Sequence, residues 1–165
     1  MKKWVWVLLF CWCLSGCGDV ATMETLGQVE HLQPVSAPRE VLISLPEEAV
    51  LAAANTQLGR TWYDCGAYSI CLEVFSGVSA QEAMRRLTGF DPEGLTVLSS
   101  VCGDHLRQDW VWTAQSEAGE LICRGALLWE NGNCYSLCVM APSEAAGSLQ
   151  QDWNAIFSSF CLEEA

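Results

Sequence analysis

Hydrophobic and polar positions follow a strand-like pattern most clearly in the last third of the chain. Three largely apolar segments, 107–115, 120–130 and 133–141, are separated by short polar turns. The second turn is Asn131-Gly132, a favoured two-residue loop of β-hairpins. The pattern therefore predicts three consecutive strands that pair as an antiparallel meander.

The two turns also set the register of this meander, with Gln115 opposite Glu120 and Glu130 opposite Asn133. Successive side chains of a strand point to opposite faces, so the register assigns each residue to one face. The first face gathers Trp110, Trp112, Cys123, Gly125, Leu127, Trp129, Cys134, Cys138 and Met140. The second face gathers Val111, Thr113, Ile122, Ala126, Leu128, Tyr135, Leu137 and Val139. Because both faces are largely apolar, we expect both to be covered.

Two helices are predicted to provide the cover. The last one carries a single apolar stripe at helical spacing, formed by Leu149, Trp153, Ile156, Phe157 and Phe160. Ser148 and Gln151 offer it a capping box. The earlier one spans 80–88, with a capping box of Ser79 and Glu82 before it and Gly89 at its end.

The first half of the domain is predicted to add short elements. Strands are expected at 40–45, 60–63, 68–75 and 95–101. The alanine-rich run from Pro46 to Ala54 is expected to be a helix, because Pro46, Glu47 and Glu48 suit a helix start. Together the elements predict an α+β fold, an antiparallel sheet covered by helices on both faces.

The end of the chain resembles the PsbP-like fold in its meander, the loop 141–143 and the final segment 153–160. A second resemblance, to small uncharacterised lipoproteins of Gram-positive gut anaerobes, lies in Leu87-Thr88-Gly89-Phe90, Trp110-Val111-Trp112 and Ser158-Ser159-Phe160. Both cover about residues 40–162. They imply an α/β/α sandwich and a binding rather than a catalytic role, and they carry over no site residue.

The N-terminal pattern predicts export. Lys2 and Lys3 precede an apolar run at 4–14. The run ends in Leu14-Ser15-Gly16-Cys17, where small residues lead to a cysteine. This order is that of a secretory signal peptide, and the run is shorter than the roughly 20 residues that span a bilayer. The last four residues resemble the lipobox of bacterial lipoproteins. That resemblance implies cleavage before Cys17 and a diacylglyceryl group on its sulfur.

The predicted organisation is a signal peptide at 1–16, the lipidated Cys17 with a flexible tether at 17–39, and one α+β domain at 40–165. Lys2 and Lys3 are the only lysines, so the mature chain carries six arginines against 20 acidic residues, a formal charge of −14. Such a charge repels nucleic acids and anionic lipids, so attachment to the membrane must come from the lipid.

Candidate chemistry is centred on Cys102-Gly103-Asp104-His105, where a thiol and an imidazole share one turn. That spacing can form half of a zinc site, with Cys65 and Asp104 as possible further ligands, or a nucleophile and base. An ordinary turn is the simpler interpretation. His31 falls in the tether and is expected to be solvated.

Other residues invite structural interpretations. Cys134 and Cys138 would lie about 13 Å apart along one strand, too far for a disulfide, and are better core residues. The cysteines after Cys17 number seven, and we expect them to be mostly buried and unpaired, with Cys65 and Cys102 reactive. The position of Trp110 opposite Gly125 favours core packing over a ligand pocket. Asp109 and Arg124 are expected to form an ion pair.

The function predicted from these features is that of a membrane-anchored extracytoplasmic lipoprotein. We expect it to bind an unidentified protein partner in the envelope, without catalysis, cofactor or nucleic acid. The alternative is a small thiol- or zinc-dependent enzyme that uses Cys102 and His105.

Overall fold

The computed structural model of the chain describes residues 35–163. The predicted signal peptide, Cys17 and His31 lie outside the described residues.

The main sheet has seven strands, which pair antiparallel in the order β2-β3-β4-β8-β7-β6-β5. These strands are β2 Val50–Asn55, β3 Arg60–Asp64, β4 Ser69–Ser76, β5 Val97–Cys102, β6 His105–Ser116, β7 Gly119–Glu130 and β8 Asn133–Pro142. A small second sheet pairs β1 Val41–Leu42 with β9 Cys161–Leu162. The helices are α1 Ala80–Thr88, a 3₁₀ turn Pro92–Gly94, the short α2 Ser143–Ala146 and α3 Gln150–Ser159.

The meander has the predicted register. Gln115 lies opposite Glu120, and Glu130 lies opposite Asn133. Asn131 and Gly132 both have positive φ, as the favoured two-residue hairpin turn requires. The register that was predicted from the turns therefore assigns the side chains of β6, β7 and β8 to the faces they occupy in the structure.

Each face of the sheet carries a buried apolar cluster and one helix of two or more turns. The α1 face buries Cys71, Phe75, Ala83, Met84, Trp110, Trp112, Cys123, Leu127, Cys134 and Cys138. The α3 face buries Cys65, Tyr68, Ile70, Ala126, Leu128, Tyr135, Leu137, Val139, Ala141, Trp153, Ile156, Phe157, Phe160 and Leu162. The apolar stripe predicted for the last helix is the set that packs against this second cluster.

The helical cover is partial, so a complete α/β/α sandwich is not supported. The helices have nine and ten residues, whereas β6 and β7 have 12 each. Large apolar side chains on β5, β6 and β7 stay exposed, among them Leu98, Val101, Val111 and Trp129. The predicted antiparallel sheet is confirmed, whereas the prediction that helices cover both of its faces is not.

The helix predicted up to Ala54 is wrong, because Val50–Asn55 is the edge strand β2. Its residues are all exposed and pair only with β3, with a bulge between Leu51 and Ala53. Alanine favours a helix, but an available neighbouring strand outweighs this weak local preference. Asn55 ends the strand, because its side chain accepts hydrogen bonds from the N–H groups of Gln57 and Leu58.

The helix starts were predicted with mixed success. Ser79 accepts a hydrogen bond from the N–H of Glu82, and Gly89 ends α1 with φ of 76°. The second capping box is wrong, since α3 begins at Gln150 after Leu149, and Ser148 instead donates to the carbonyl of Ala145. The predicted strand 40–45 is also reduced to Val41–Leu42.

Candidate functional site

The predicted chemistry of Cys102 and His105 falls at the hairpin between β5 and β6. The two residues pair directly across the loop Gly103-Asp104, and Gly103 has a φ of 60°, which suits glycine. Both line a cleft of about 700 Å³, here called the hairpin cleft, together with Asp104 and Cys161. Cys161 reaches the cleft through β9 and its pairing with β1, a long-range contact that local sequence patterns do not predict.

The hairpin cleft does not assemble the zinc site considered from the sequence. Its main carboxylate, Glu130, is paired with Arg39 at 2.8 Å and lies 3.8 Å from Nδ1 of His105. Cys65 is buried in the α3-face cluster and does not line the cleft. Within residues 35–163, no group of three or more His, Cys, Asp or Glu side chains is arranged to hold a metal.

The seven cysteines that the structure describes are free thiols. Five are buried, and only Cys102 and Cys161 are partly exposed. The prediction that Cys65 is reactive is therefore wrong, because its turn is packed into the core and leaves it 5% exposed. The register also places Cys71 directly opposite Cys138, a pairing between β4 and β8 that the meander alone could not reveal.

Thiol labelling of the folded protein at about pH 8 should therefore modify Cys102 and Cys161 first, since a thiol must be accessible and ionised to react. Burial raises the pKa of Cys65, Cys123 and Cys134 above the ordinary thiol value. Peptide mass mapping after brief alkylation checks this expectation. Cys102→Ser is the control and should remove one label. Labelling of Cys65 as fast as Cys102 would contradict the described packing.

The same thiols should make the protein sensitive to alkali. Burial raises the pKa of Cys123 and Cys134 from 9.0 to about 11. Below pH 9.0 these thiols are protonated whether the chain is folded or not. Their contribution to the free energy of unfolding is therefore fully present. Above that pH the thiols lose their protons in the unfolded chain before they do so in the folded protein. The free energy of unfolding therefore falls until the pH reaches the pKa of the folded state.

Urea unfolding at about pH 8 and about pH 10.5 should show this loss, on the order of 1–2 kcal/mol for each such thiol. Cys123→Ala should reduce the difference between the two pH values by about one thiol's share. An equal difference in wild type and variant would refute the assignment.

A cluster of three charged residues, Arg107, Asp109 and Arg124, lies where β6 and β7 meet α3. Arg107 donates from Nε and Nη2 to both oxygens of Asp109, each at 2.8 Å, and from Nη1 to the carbonyl of Phe157 at 2.7 Å. Its hydrogen bonds to Asp109 raise the pKa of Arg107 above its ordinary value. The predicted ion pair of Asp109 with Arg124 is long, at 3.9 Å, because Asp109 is engaged by Arg107.

Arg124 is held differently. Its guanidinium carbon lies 4.2 Å from the ring centre of Phe157, and its Nη1 donates to Oδ1 of Asn154 at 2.8 Å. Burial lowers the pKa of Arg124 from its ordinary value, and the charge of Asp109 opposes this shift. The structure thus holds a half-buried cation against α3.

Arg124 lines a cleft of about 630 Å³ between the sheet and the start of α3, here called the helix–sheet cleft. Its floor is apolar and is formed by Leu98, Val111 and Ile122, on β5, β6 and β7. Its wall is formed by Ala146, Gly147, Gln150 and Trp153. A volume of this size is typical of small-molecule sites.

The predicted interpretation of Trp110 as a core residue is confirmed. Its side chain is buried, and its ring lies over Gly125, where an added Cβ would come within 2.6 Å of the ring. Trp112 stacks beside it, with the ring centres 6.2 Å apart. The tryptophan pair therefore fills the α1-face core and offers no aromatic pocket.

Comparisons with known proteins give fold information only. No protein-family model matches the chain, and no curated protein matches its sequence. A solved structure from Bacteroides thetaiotaomicron aligns over 75% of this chain at 8% identity with a TM-score of 0.52, and the chain spans 45% of that protein. This likeness shows a shared fold.

Two further solved structures have lower scores. LpqN of Mycobacterium tuberculosis, described as involved in cell envelope biogenesis, has 11% identity and a TM-score of 0.48 over 78% of this chain and 87% of its own. The cyanobacterial PsbP of Synechocystis has 6% identity and a TM-score of 0.44 over 73% and 98%. At these scores neither likeness carries an argument.

Proposed function

We propose that the chain is a membrane-anchored extracytoplasmic lipoprotein whose PsbP-like domain binds a partner in the envelope and catalyses no reaction. The lipobox-like Leu14-Ser15-Gly16-Cys17 supports the anchor, because its cysteine sulfur is the group that accepts the diacylglycerol. Two acyl chains are sufficient for stable membrane attachment. Among residues 35–163, no helix is long and apolar enough to cross a membrane.

The helix–sheet cleft is the observation that carries the binding role. It combines an apolar floor with a half-buried cation, Arg124, and such a combination is typical of ligand sites. Its floor includes the exposed side chains of Leu98 and Val111, which a partner would cover. The cleft is therefore where we expect the partner to contact the domain.

The alternative function is a thiol- or zinc-dependent enzyme at the hairpin cleft. It is favoured by one observation, that Cys102, Cys161 and His105 line the same cleft. Metal analysis of the purified protein and of Cys102→Ser separates the two functions. Stoichiometric zinc that is lost in Cys102→Ser would favour the alternative.

Site-specific photo-crosslinking in native membranes tests the binding role. A crosslinking residue at Leu98, which is 69% exposed at the helix–sheet cleft, should give a discrete adduct. The same residue at Val50, which is 65% exposed on the opposite edge strand, is the matched control and should not. Identical adducts from both positions, or none from Leu98, would refute a binding role for the cleft.

A further inference from the structure

Exposed apolar side chains lie across one end of the main sheet. This end bears the β2–β3, β5–β6 and β7–β8 turns and is here called the tether end. The exposed side chains, from 43% for Trp129 to 74% for Val101, belong to Val35, Leu58, Val101, Leu106 and Trp129. Val101, Leu106 and Trp129 lie directly opposite one another on β5, β6 and β7, so they form one row on the α1 face. An exposed apolar surface of this kind marks a contact with a protein or a membrane.

The chain enters the domain at the tether end. Val35, the first residue that the structure describes, lies against Gly132 in the β7–β8 turn, and Nδ2 of Asn133 donates to the carbonyl of Ser36 at 3.0 Å. Cys17 precedes Val35 by 18 positions, which corresponds to at most roughly 60 Å of chain. A lipid anchor at Cys17 is thus joined to the domain at the end that carries the apolar row.

The opposite end of the sheet, here called the acidic end, carries unpaired negative charge. It bears the β3–β4 and β6–β7 turns, the start of β2 and the end of β8. Its exposed carboxylates are those of Glu47, Glu48, Asp64, Glu117, Glu120 and Glu144. None of them forms an ion pair among residues 35–163, and the segments that carry them contain no arginine.

The tether end carries fewer open charges. Glu73 and Glu130 are each paired with an arginine at 2.8 Å, and the three turns of this end contain a single acidic residue, Asp104. Glu40 and Glu163 flank the small β1–β9 sheet, which packs against the α3 face and not against the face of the apolar row. A domain that rests on its tether end therefore keeps most of its negative charge far from anionic lipid headgroups, which would repel it.

We propose that the tether end rests on the surface of the lipid bilayer, with Val101, Leu106 and Trp129 in the interfacial region. Tryptophan is enriched at membrane–water interfaces, because its ring is apolar and its N–H binds polar groups. The row alone is small, but the anchor holds it at a high effective concentration near the lipid, so a weak contact suffices. This inference rests on the anchor in the proposed function and adds the orientation of the domain.

The orientation keeps the helix–sheet cleft accessible. Ala146 and Gly147, in the wall of this cleft, follow the end of β8 and so lie toward the acidic end. The 12 residues of β7 separate the two ends by roughly 40 Å, whereas an interfacial contact reaches only about 5–10 Å into the headgroup region. A partner in the envelope can therefore reach the cleft while the tether end contacts lipid.

Photo-crosslinking to lipid tests the orientation on the full chain. The protein is extracted from its native membrane, its lipid is verified by intact mass, and it is reconstituted in nanodiscs of phosphatidylcholine. A crosslinking residue at Val101, which is 74% exposed on the edge strand β5, should give phospholipid adducts. The same residue at Val50, which is 65% exposed on the other edge strand at the acidic end, is the matched control and should give at least about tenfold fewer.

Quenching of tryptophan fluorescence by bromine-labelled phosphatidylcholine is the second measurement. Trp129 should account for most of the quenching, so Trp129→Phe should remove at least about half of it, whereas Trp62→Phe should leave it nearly unchanged. Val101→Asp places a charge in the row and should reduce the quenching at least about twofold. Val50→Asp adds the same charge at the acidic end and should have no effect. Both valines are exposed, so neither change disturbs the core.

Equal phospholipid adducts at positions 101 and 50, no adduct at 101, or quenching that survives Trp129→Phe would each overturn the proposed orientation. A covalent dimer through position 101 in place of a lipid adduct would also overturn it, because a second copy would then cover the row. In each of these cases the intact mass of the same sample would still establish the anchor. A wild-type chain without lipid would refute the anchor and the orientation together.

Discussion

Replacing Phe157 with alanine is expected to lower the free energy of unfolding by roughly 3–5 kcal/mol, the usual cost of removing a large aromatic side chain from a core. Phe157 is 1% exposed in the α3-face cluster, and its ring also receives the guanidinium of Arg124. The loss is a large share of the ~5–15 kcal/mol by which a domain is usually stable. Trp153→Ala, one turn earlier on the same face, should have a cost in the same range.

Urea unfolding measured by circular dichroism checks both changes. Ser158→Ala is the matched control, because Ser158 is exposed on the same helix and should alter stability by less than about 0.5 kcal/mol. A midpoint for Phe157→Ala that equals that of Ser158→Ala would mean that α3 does not pack on the sheet as described.

The second large effect is expected at Gly125, where the sheet has no room for a side chain. An added Cβ would lie 2.6 Å from Cζ2 and 2.7 Å from Cε2 of Trp110, whose ring is rigid and buried. Trp112 stacks beside this ring, with the ring centres 6.2 Å apart, and restricts its movement on that side. Gly125→Ala should therefore cost about 1–3 kcal/mol through overpacking, and Gly125→Val should cost more.

A double-mutant cycle identifies the cause of this loss. In a Trp110→Leu background the obstructing ring is absent, so Gly125→Ala should cost clearly less than it does in the wild type. Equal cost in both backgrounds would assign the effect to the backbone of β7 rather than to the contact with Trp110.

The sequence predicted the meander well because local turn chemistry determined its register. Asn131 and Gly132 suit one tight turn, and a strand period of two residues then assigns every side chain to a face. It predicted the edge strand β2 poorly. Val50–Asn55 buries none of its side chains, so no apolar alternation marks it, and its conformation depends on pairing with β3.

The candidate sites show the same limit of local information. The hairpin cleft brings Cys161 together with Cys102 through contacts between segments far apart in the chain. The helix–sheet cleft similarly depends on where the start of α3 lies relative to β5, β6 and β7. Sequence patterns could place Arg124 on the correct face, but they could not show that Arg107 engages Asp109 and leaves Arg124 only a long ion pair with it, at 3.9 Å.

Attachment by lipid at Cys17 is tested most directly by the intact mass of the protein extracted from its native membrane. We expect a chain that starts at Cys17 and carries the added mass of a diacylglyceryl group. Cys17→Ala should give the uncleaved precursor without lipid, because no neighbouring side chain can replace the sulfur as acyl acceptor. A wild-type chain without lipid, or a Cys17→Ala chain that still carries it, would contradict attachment by lipid at Cys17.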